Sequence, residues 1–304
     1  MLIKRIANKV SRVLRGTDGT IGTWPEKERI RGAMRQYLRA QGDDARFDVY
    51  HPVLFNEKVI SYKLLYHRDG LVNVVDKYLF KDYIRQRLGE GHTIPMFGAW
   101  DSLSGLEKAW GSLPKCFVLK STLQSDGRFI KVIRDKDTCD FNELKVELAD
   151  WLDPRKTLIN SYCYAYYQAT PRILAEEYME NIADQLYDYK IFCFDGKPYC
   201  FYVATNHFQQ EDYPITFYDL DWKMMDVTYG HHRRQDVEKP AHMEEMIEIA
   251  RKLSVGFPFV RVDFFDLPDK LYCAELTLYP GGGMTLYYPE EFNKQLGRMF
   301  HFPE

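Results

Sequence analysis

The sequence predicts an α+β protein built largely on antiparallel sheets. Three observations carry that expectation. Short β-rich runs recur from residue 94 onward: IPMFGAW (94–100), CFVLKST (116–122), RFIKVI (128–133), RILAEEYM (172–179), YKIFCF (189–194) and YCFYVA (199–204). Asp195-Gly196 separates the last two runs and is a strong hairpin signal. Helical segments interleave with these runs, but the strands gather as hairpins rather than as strict βαβ units.

From the N-terminus, Leu2, Ile3, Ile6, Val10, Val13 and Leu14 share one helical face, and Lys4, Arg5, Lys9, Arg12 and Arg15 fill the rest. This basic amphipathic pattern suits either an anionic membrane surface or packing on the chain's own domain. GTDGTIGT (16–23) reads as a link. Pro25 opens a helix through Gln41, with Ile30, Met34 and Leu38 inward. A second helix starts at Asn56, and a third is expected from about Asp76 to Leu88. TFYDLDW (216–222) reads as a further strand, EEMIEIARKL (244–253) as a helix, and PEEFNKQLGRM (289–299) as the closing helix. The expected organisation is a segment 1–22, a helical region 23–75 and a main domain 76–304.

The 304 residues carry a formal net charge of −3, with 28% charged and 45% apolar residues. That soluble, globular balance excludes a general nucleic-acid binder, which needs a broad basic excess. No run of 18 apolar residues occurs, and basic residues interrupt the first apolar stretch, so neither a spanning helix nor a secretory signal is expected. The six cysteines form no CxxC pair, which suits reduced thiols and a cytoplasmic location. The GxxxxGK[ST], strand-borne GxGxxG, HExxH and GxSxG motifs are all missing.

The richest stretch is FVRVDFFDLPDKLYCAELTLYPGGG (259–283). Alternation places Arg261, Asp263 and Phe265 on one strand face, and Cys273, Glu275 and Thr277 on one face of the next. Folded about the Pro268-Asp269 turn, the pair sets Asp263 opposite or diagonal to Glu275, and Arg261 near Thr277. Two like charges about 4 Å apart at an effective dielectric of about 20 repel by roughly 4 kcal/mol. A shared proton, an ion pair with Arg261 or a divalent cation would each relieve that repulsion. Two carboxylates with few other protein ligands suit Mg²⁺, which takes further oxygens from water and substrate phosphates. Gly281, Gly282 and Gly283 directly follow and can bring backbone N–H groups close to an anion.

Phosphates in turn call for cations. Lys120 ends the strand FVLK beside the small polar loop STLQSDGR, and Lys77 in VDKYLFK offers a second positive point. In RILAEEYM, the Tyr178 and Met179 backbones can meet an adenine edge, with Glu176 and Glu177 beside them. Asp188 and Lys190 share one strand face, an acid for ribose hydroxyls and a base for phosphate. The tyrosines 162, 164, 166 and 167 and the run His231-His232-Arg233-Arg234 suit a sugar or acidic glycan, or core packing and an exposed loop respectively.

The ordered set DKYLFK, FVLKS, ILAEEYM, DYKIFCFDGKPY, FPFVRVDFF and YCAELTLYPGGG resembles the ATP-grasp superfamily, and with FNEKVISYKLLYHRDG (55–70) it resembles the TupA-like ATP-grasp proteins of bacterial surface-polysaccharide gene clusters. The likeness spans about residues 50–304. It implies two α+β subdomains gripping ATP, with a nucleotide-covering part near 112–178. It implies Lys77 and Lys120 as phosphate lysines, and Glu176 with the Tyr178–Met179 backbone as adenine hinge. Asp188 becomes the ribose acid, Arg261 the arginine on the transferred phosphate, and Asp263 and Glu275 the magnesium ligands. The superfamily usually carries Asn where this chain has Thr277, and TLQSDGR replaces a glycine-richer phosphate loop. The implied activity is an ATP- and Mg²⁺-dependent carboxylate–amine ligase acting through an acyl phosphate on a small or polysaccharide-linked carboxylate. A sugar kinase, a glycosyltransferase and a non-catalytic nucleotide-binding scaffold are the alternatives.

Overall fold

The β-branched and aromatic runs pair into two main antiparallel sheets. The computed structural model describes residues 25–42, 47–124, 129–154, 162–167, 169–179, 187–205, 213–230, 232 and 234–302. The amphipathic segment 2–15, the link 16–23, Gly127, His231 and Arg233 lie outside the described residues. The larger sheet contains β5 (Tyr187–Phe194), β6 (Lys197–Thr205), β7 (Ile215–Tyr218), β9 (Phe259–Leu267) and β10 (Lys270–Thr277), in the order β10-β9-β5-β6-β7. The smaller contains β1 (Met96–Trp100), β2 (Phe117–Ser121), β3 (Ile130–Ile133) and β4 (Ile173–Glu176), in the order β1-β4-β2-β3. A short ribbon pairs β8 (Thr228–Tyr229) with β11 (Tyr287–Tyr288). The expected hairpins form: Asp195 (φ 47°) and Gly196 (φ 78°) turn β5 into β6, a conformation that a side chain larger than hydrogen resists at Gly196.

Helix α1 (Glu26–Gln41) packs Ala33 and Tyr37 against Ile60 and Leu64 of α2 (Phe55–Leu65). The third expected helix divides into α3 (Val72–Val75) and α4 (Leu79–Leu88). Asp76 is the cause: its buried Oδ1 accepts the N–H groups of Tyr78 (2.8 Å) and Leu79 (3.1 Å) and so competes with helix continuation. Lys77 therefore sits in a turn rather than in a helix, and its N–H donates to Thr122 O at the end of β2 (3.1 Å). Likewise TFYDLDW is strand only to Tyr218, after which Asp219 caps a turn by accepting the Asp221 and Lys223 N–H groups at 2.9 Å. Two helices that the sequence reading left unassigned, α5 (Leu103–Trp110) and α6 (Phe141–Trp151), cover the smaller sheet with Leu106, Leu144, Leu148 and Trp151.

Both faces of the larger sheet are buried, and for different reasons. Helix α7 (Met243–Ser254) covers one face through Met246, Ala250 and Leu253. On the other face, α2 and α8 (Glu290–Met299) enclose an aromatic cluster. Phe55 is its hub, with ring centroids 4.9 Å from Phe259, 5.9 Å from Phe192 and 6.0 Å from Phe300. Phe55→Ala is expected to cost about 3–5 kcal/mol of unfolding free energy, because a ring leaves a cavity among rigid neighbours. Urea denaturation checks this, and a loss under about 1 kcal/mol would contradict the hub role.

Candidate active site

The same strands that feed the aromatic cluster carry the polar site, on the same face and one step further along. In β5 that face reads Asp188, Lys190, Phe192 and Phe194, and in β9 it reads Phe259, Arg261, Phe265 and Asp263, with Lys190 paired to Asp263 and Phe192 to Arg261. Asp263 is 2% exposed. Its Oδ1 accepts Arg261 Nε at 2.7 Å, and its Oδ2 accepts Arg261 Nη2 at 2.6 Å and Lys190 Nζ at 2.9 Å. Burial alone would raise the Asp263 pKa, but the Arg261 and then the Lys190 charges outweigh it and hold the carboxyl below its ordinary value. Lys190 also donates to Asp188. Desolvation would lower the Lys190 pKa, yet Asp188 and Asp263 hold it above its ordinary value.

Glu275 pairs across the strands with Asp263, and Thr277 with Arg261, as parity predicts. The parity is incomplete, however. A bulge between Cys273 and Glu275 inserts Ala274, so Cys273 pairs with Phe264 on the apolar side instead of sharing the Glu275 face. Glu275 Oε1 accepts Lys77 Nζ at 3.0 Å, and Arg261 Nη2 donates to Thr277 Oγ1 at 3.0 Å. Of the three ways to relieve the carboxylate pair, ion pairing is the one seen here, with separate cations for each acid.

Lys120 leaves β2 and meets Glu176 Oε2 at 2.8 Å, while Lys81 of α4 meets Glu176 Oε1 at 2.5 Å. Burial opposes ionisation of Glu176, but the Lys120 and Lys81 ammonium groups outweigh it and bring its pKa down to about 2. Glu176 thus acts here as an ionic tie between the small sheet and α4. Glu177 lies beside it with its N–H donating to Pro95 O at 3.0 Å. Tyr178 is buried against Arg134, and Met179 packs with Ile94, Phe265 and Leu267.

A cavity of about 520 Å³ opens between these elements. Lys77, Lys120, Asp188, Lys190 and Arg261 line it, as do Asp263, Glu275, Thr277, Gly281 and Gly282. Glu176, Glu177, Tyr178, Met179 and Gly283 do not, although Glu176 holds the lining Lys120. Gly283 has a packing reason for its identity: at φ 78°, a Cβ would stand 2.6 Å from Asn56 O and 2.5 Å from Ile60 Cγ1 of α2. The Gly282 N–H donates to Tyr279 O (2.9 Å), so it is already engaged. Of the glycan candidates, Tyr166 lines the cavity, Tyr164 stacks on His67 at 3.9 Å, and His232 meets Tyr213 O at 2.9 Å.

Two lysines escaped the sequence reading. Lys81 follows Lys77 by four residues, and its partner Glu176 lies far along the chain. Lys63 sits in the apolar stripe of α2, 2% exposed, with Nζ lining the cavity and donating to Gly282 O at 2.8 Å. A lysine inside an apolar helical stripe was the available signal. Among the described lining residues, five cations (Lys63, Lys77, Lys120, Lys190, Arg261) face three carboxylates (Asp188, Asp263, Glu275), a balance suited to a polyanion.

The residues fit magnesium. Among the described residues no cluster of three or more His, Cys, Asp or Glu ligands exists, so a metal held here relies on few protein groups. A carboxylate offers about four lone-pair sites. Asp263 uses three and Glu275 uses one, on Oε1 alone. The remaining sites, with the Thr277 hydroxyl, suit an ion that completes its shell from phosphates and water.

A pH dependence follows from Glu176. Its folded-state pKa of about 2 lies below its ordinary 4.5, so its contribution is present above pH 4.5 and fades as pH falls toward 2. In urea titrations, Glu176→Gln is expected to be less stable than wild type at neutral pH, with a gap that narrows by as much as about 3 kcal/mol across that range. Parallel stability curves would contradict the tie.

The model of the TupA-like ATP-grasp family matches residues 57–301. No curated protein matches the chain. Among solved structures, D-alanine-D-alanine ligase from Helicobacter pylori is 17% identical with a TM-score of 0.47, over 75% of this chain and 61% of that one. D-alanine--D-alanine ligase from Bacillus anthracis is 18% identical with a TM-score of 0.42, over 81% and 73%. N5-carboxyaminoimidazole synthase from Aspergillus clavatus, in complex with ADP and its ribonucleotide, is 17% identical with a TM-score of 0.39, over 68% and 44%. The chain spans about three fifths of the Helicobacter enzyme and less than half of the Aspergillus one. These distant likenesses carry no assignment of substrate, whereas the family model covers most of the sequence with the paired hairpin, the glycine turn and the lysines inside it. The chain belongs to the TupA-like ATP-grasp family.

Proposed function

We propose that the protein is an ATP- and Mg²⁺-dependent carboxylate–amine ligase. The observation that carries this reading is the cross-strand Asp263–Glu275 pair, set beside Arg261 in a cavity whose cations outnumber its acids. Lys120 and Lys77 bind the nucleotide phosphates, while Tyr178 and Met179 offer backbone groups to adenine beside Glu176 and Glu177. Asp188 takes the ribose, and Lys190 holds Asp188 and Asp263 in their ionised forms. Magnesium, held by Asp263 and Glu275 with Thr277 at hand, neutralises phosphate charge when bound. Arg261 steadies the transferred phosphoryl group and, later, the oxyanion on the carbonyl.

Chemistry then proceeds in two displacements. A substrate carboxylate oxygen attacks the γ-phosphorus, ADP leaves, and an acyl phosphate forms. An amine nitrogen attacks the acyl carbon, inorganic phosphate leaves, and the nitrogen loses a proton to give the amide. Positioning and fixed charge carry most of the acceleration. The family's surface-polysaccharide setting points to a uronic acid or an amino acid among the substrates. Residues 1–15 would hold the protein peripherally at the inner face of the bacterial membrane, although no described helix is long and apolar enough to cross one.

Glu275→Gln is the cleaner test of the acid pair, because Asp263→Asn also strands two buried cations and costs stability. Glu275→Gln is expected to lower Mg²⁺-dependent ADP release at least about 100-fold, or about 2.7 kcal/mol, with the urea midpoint little changed. Unaltered turnover would remove the assignment. Products separate the rivals: a ligase yields ADP, phosphate and amide, a kinase a phosphorylated sugar, and a glycosyltransferase needs no ATP. Binding of ATP without any acceptor-stimulated ADP release would favour a scaffold. Deleting residues 1–15 is expected to release the protein from anionic vesicles, measured by cosedimentation, and unchanged binding would dismiss the membrane role.

A further inference from the structure

Lys63 carries a charge that the nucleotide and the metal leave unused. Its ammonium has three donors, and the one acceptor found among the described residues is Gly282 O at 2.8 Å. The other four cavity cations each meet a carboxylate: Lys77 meets Glu275, Lys120 meets Glu176, Lys190 meets Asp188, and Arg261 meets Asp263. Lys63 meets none among the described residues. Burial pulls its pKa below the ordinary lysine value. A buried ammonium without a counter-charge costs several kcal/mol, and a helix otherwise lined with Phe55, Val59, Ile60 and Leu64 could have carried an apolar residue at that position.

Its place in the cavity is informative. Along the chain, Glu275 is held by Lys77, Thr277 by Arg261, and Gly282 by Lys63. Lys63 therefore lies past Arg261 at the glycine turn, while Lys77 and Lys120 serve the Glu275 side. We propose that the Lys63 ammonium anchors an anionic group, a carboxylate or a phosphate, on a substrate seated at the Gly281–Gly283 end of the cavity, apart from the group that reacts. This rests on the ligase reading above and narrows it: one of the two joined molecules bears an anion that survives the reaction. Anchoring that anion fixes the distance from Lys63 to the reacting atom and discriminates against neutral analogues.

The test uses the full chain loaded with Mg·AMP-PNP, so that the nucleotide's phosphates are accounted for. Malonate and inorganic phosphate are titrated separately by calorimetry into wild type and into Lys63→Gln, which keeps a donor for Gly282 O but loses the charge. Wild type is expected to bind at least one of the two, and Lys63→Gln to bind it at least about 10-fold more weakly, or about 1.4 kcal/mol. Equal affinities, or no binding of either anion by the loaded wild type, would overturn the proposal. The second result would assign Lys63 to the nucleotide if anions bind only the unloaded protein. If Mg·AMP-PNP itself fails to bind, the ligase reading falls, and the same titration on unloaded protein still judges Lys63. A measurement without variants guards against misfolding: acetic anhydride labelling of wild type, read by peptide mass spectrometry. The bound anion is expected to slow labelling at Lys63 and not at exposed Lys108. Equal slowing at both, or none, counts against the anchor.

Discussion

Everything polar in this protein is arranged around one buried carboxylate. Asp263 receives two hydrogen bonds from Arg261 and one from Lys190, at 2.6–2.9 Å. Such a group contributes little net stability, because desolvating three charges consumes most of what their attraction returns. Its value lies in geometry. Arg261, fixed on Asp263, also holds Thr277, and Lys190, fixed on Asp263, also holds Asp188. Four elements of a phosphate-handling site thus share one reference point, and each side chain is held in position before any ligand arrives.

The larger sheet makes this arrangement possible by dividing one of its faces lengthwise. On β5 and β9 the positions under α2 and α8 are Phe192, Phe194 and Phe259, while the positions further along are Asp188, Lys190, Arg261 and Asp263. The aromatic half excludes water and anchors the strands, and the charged half forms the cavity wall. Helix α2 links the two halves, with Phe55 in the aromatic cluster and Lys63, two turns later, in the cavity. The Lys81–Glu176–Lys120 tie makes the corresponding connection on the far side, joining α4 to the small sheet that supplies Lys120.

Much of this was legible in the sequence where the information is local. Asp195-Gly196 and Pro268-Asp269 announce their hairpins, and strand parity sets Asp263 against Glu275 and Arg261 against Thr277 before any coordinates are seen. What parity cannot encode is a bulge, so Cys273 was assigned to the wrong face. Periodicity also missed the break at Asp76, because a capping carboxylate competes with the helix only once its burial is known. The ion pairs were the least legible. Lys77 and Glu275 are 198 residues apart, and nothing along the chain says that a given lysine is spoken for. Gly283 illustrates a related difficulty: a glycine demanded by an approaching helix looks the same in sequence as one that welcomes an anion.

The extra residue in β10 has an implication for how this chain can vary. With Ala274 in place, a thiol faces the hydrophobic interior and an ionised side chain faces solvent-filled space, although only one position separates Cys273 from Glu275 in alternation. Losing that single alanine would restore ideal pleating and exchange the two environments, burying a charge and presenting sulfur at the wall. Length in this hairpin is therefore less negotiable than chemistry: replacements among apolar residues leave the threading intact, whereas a one-codon deletion would invert it.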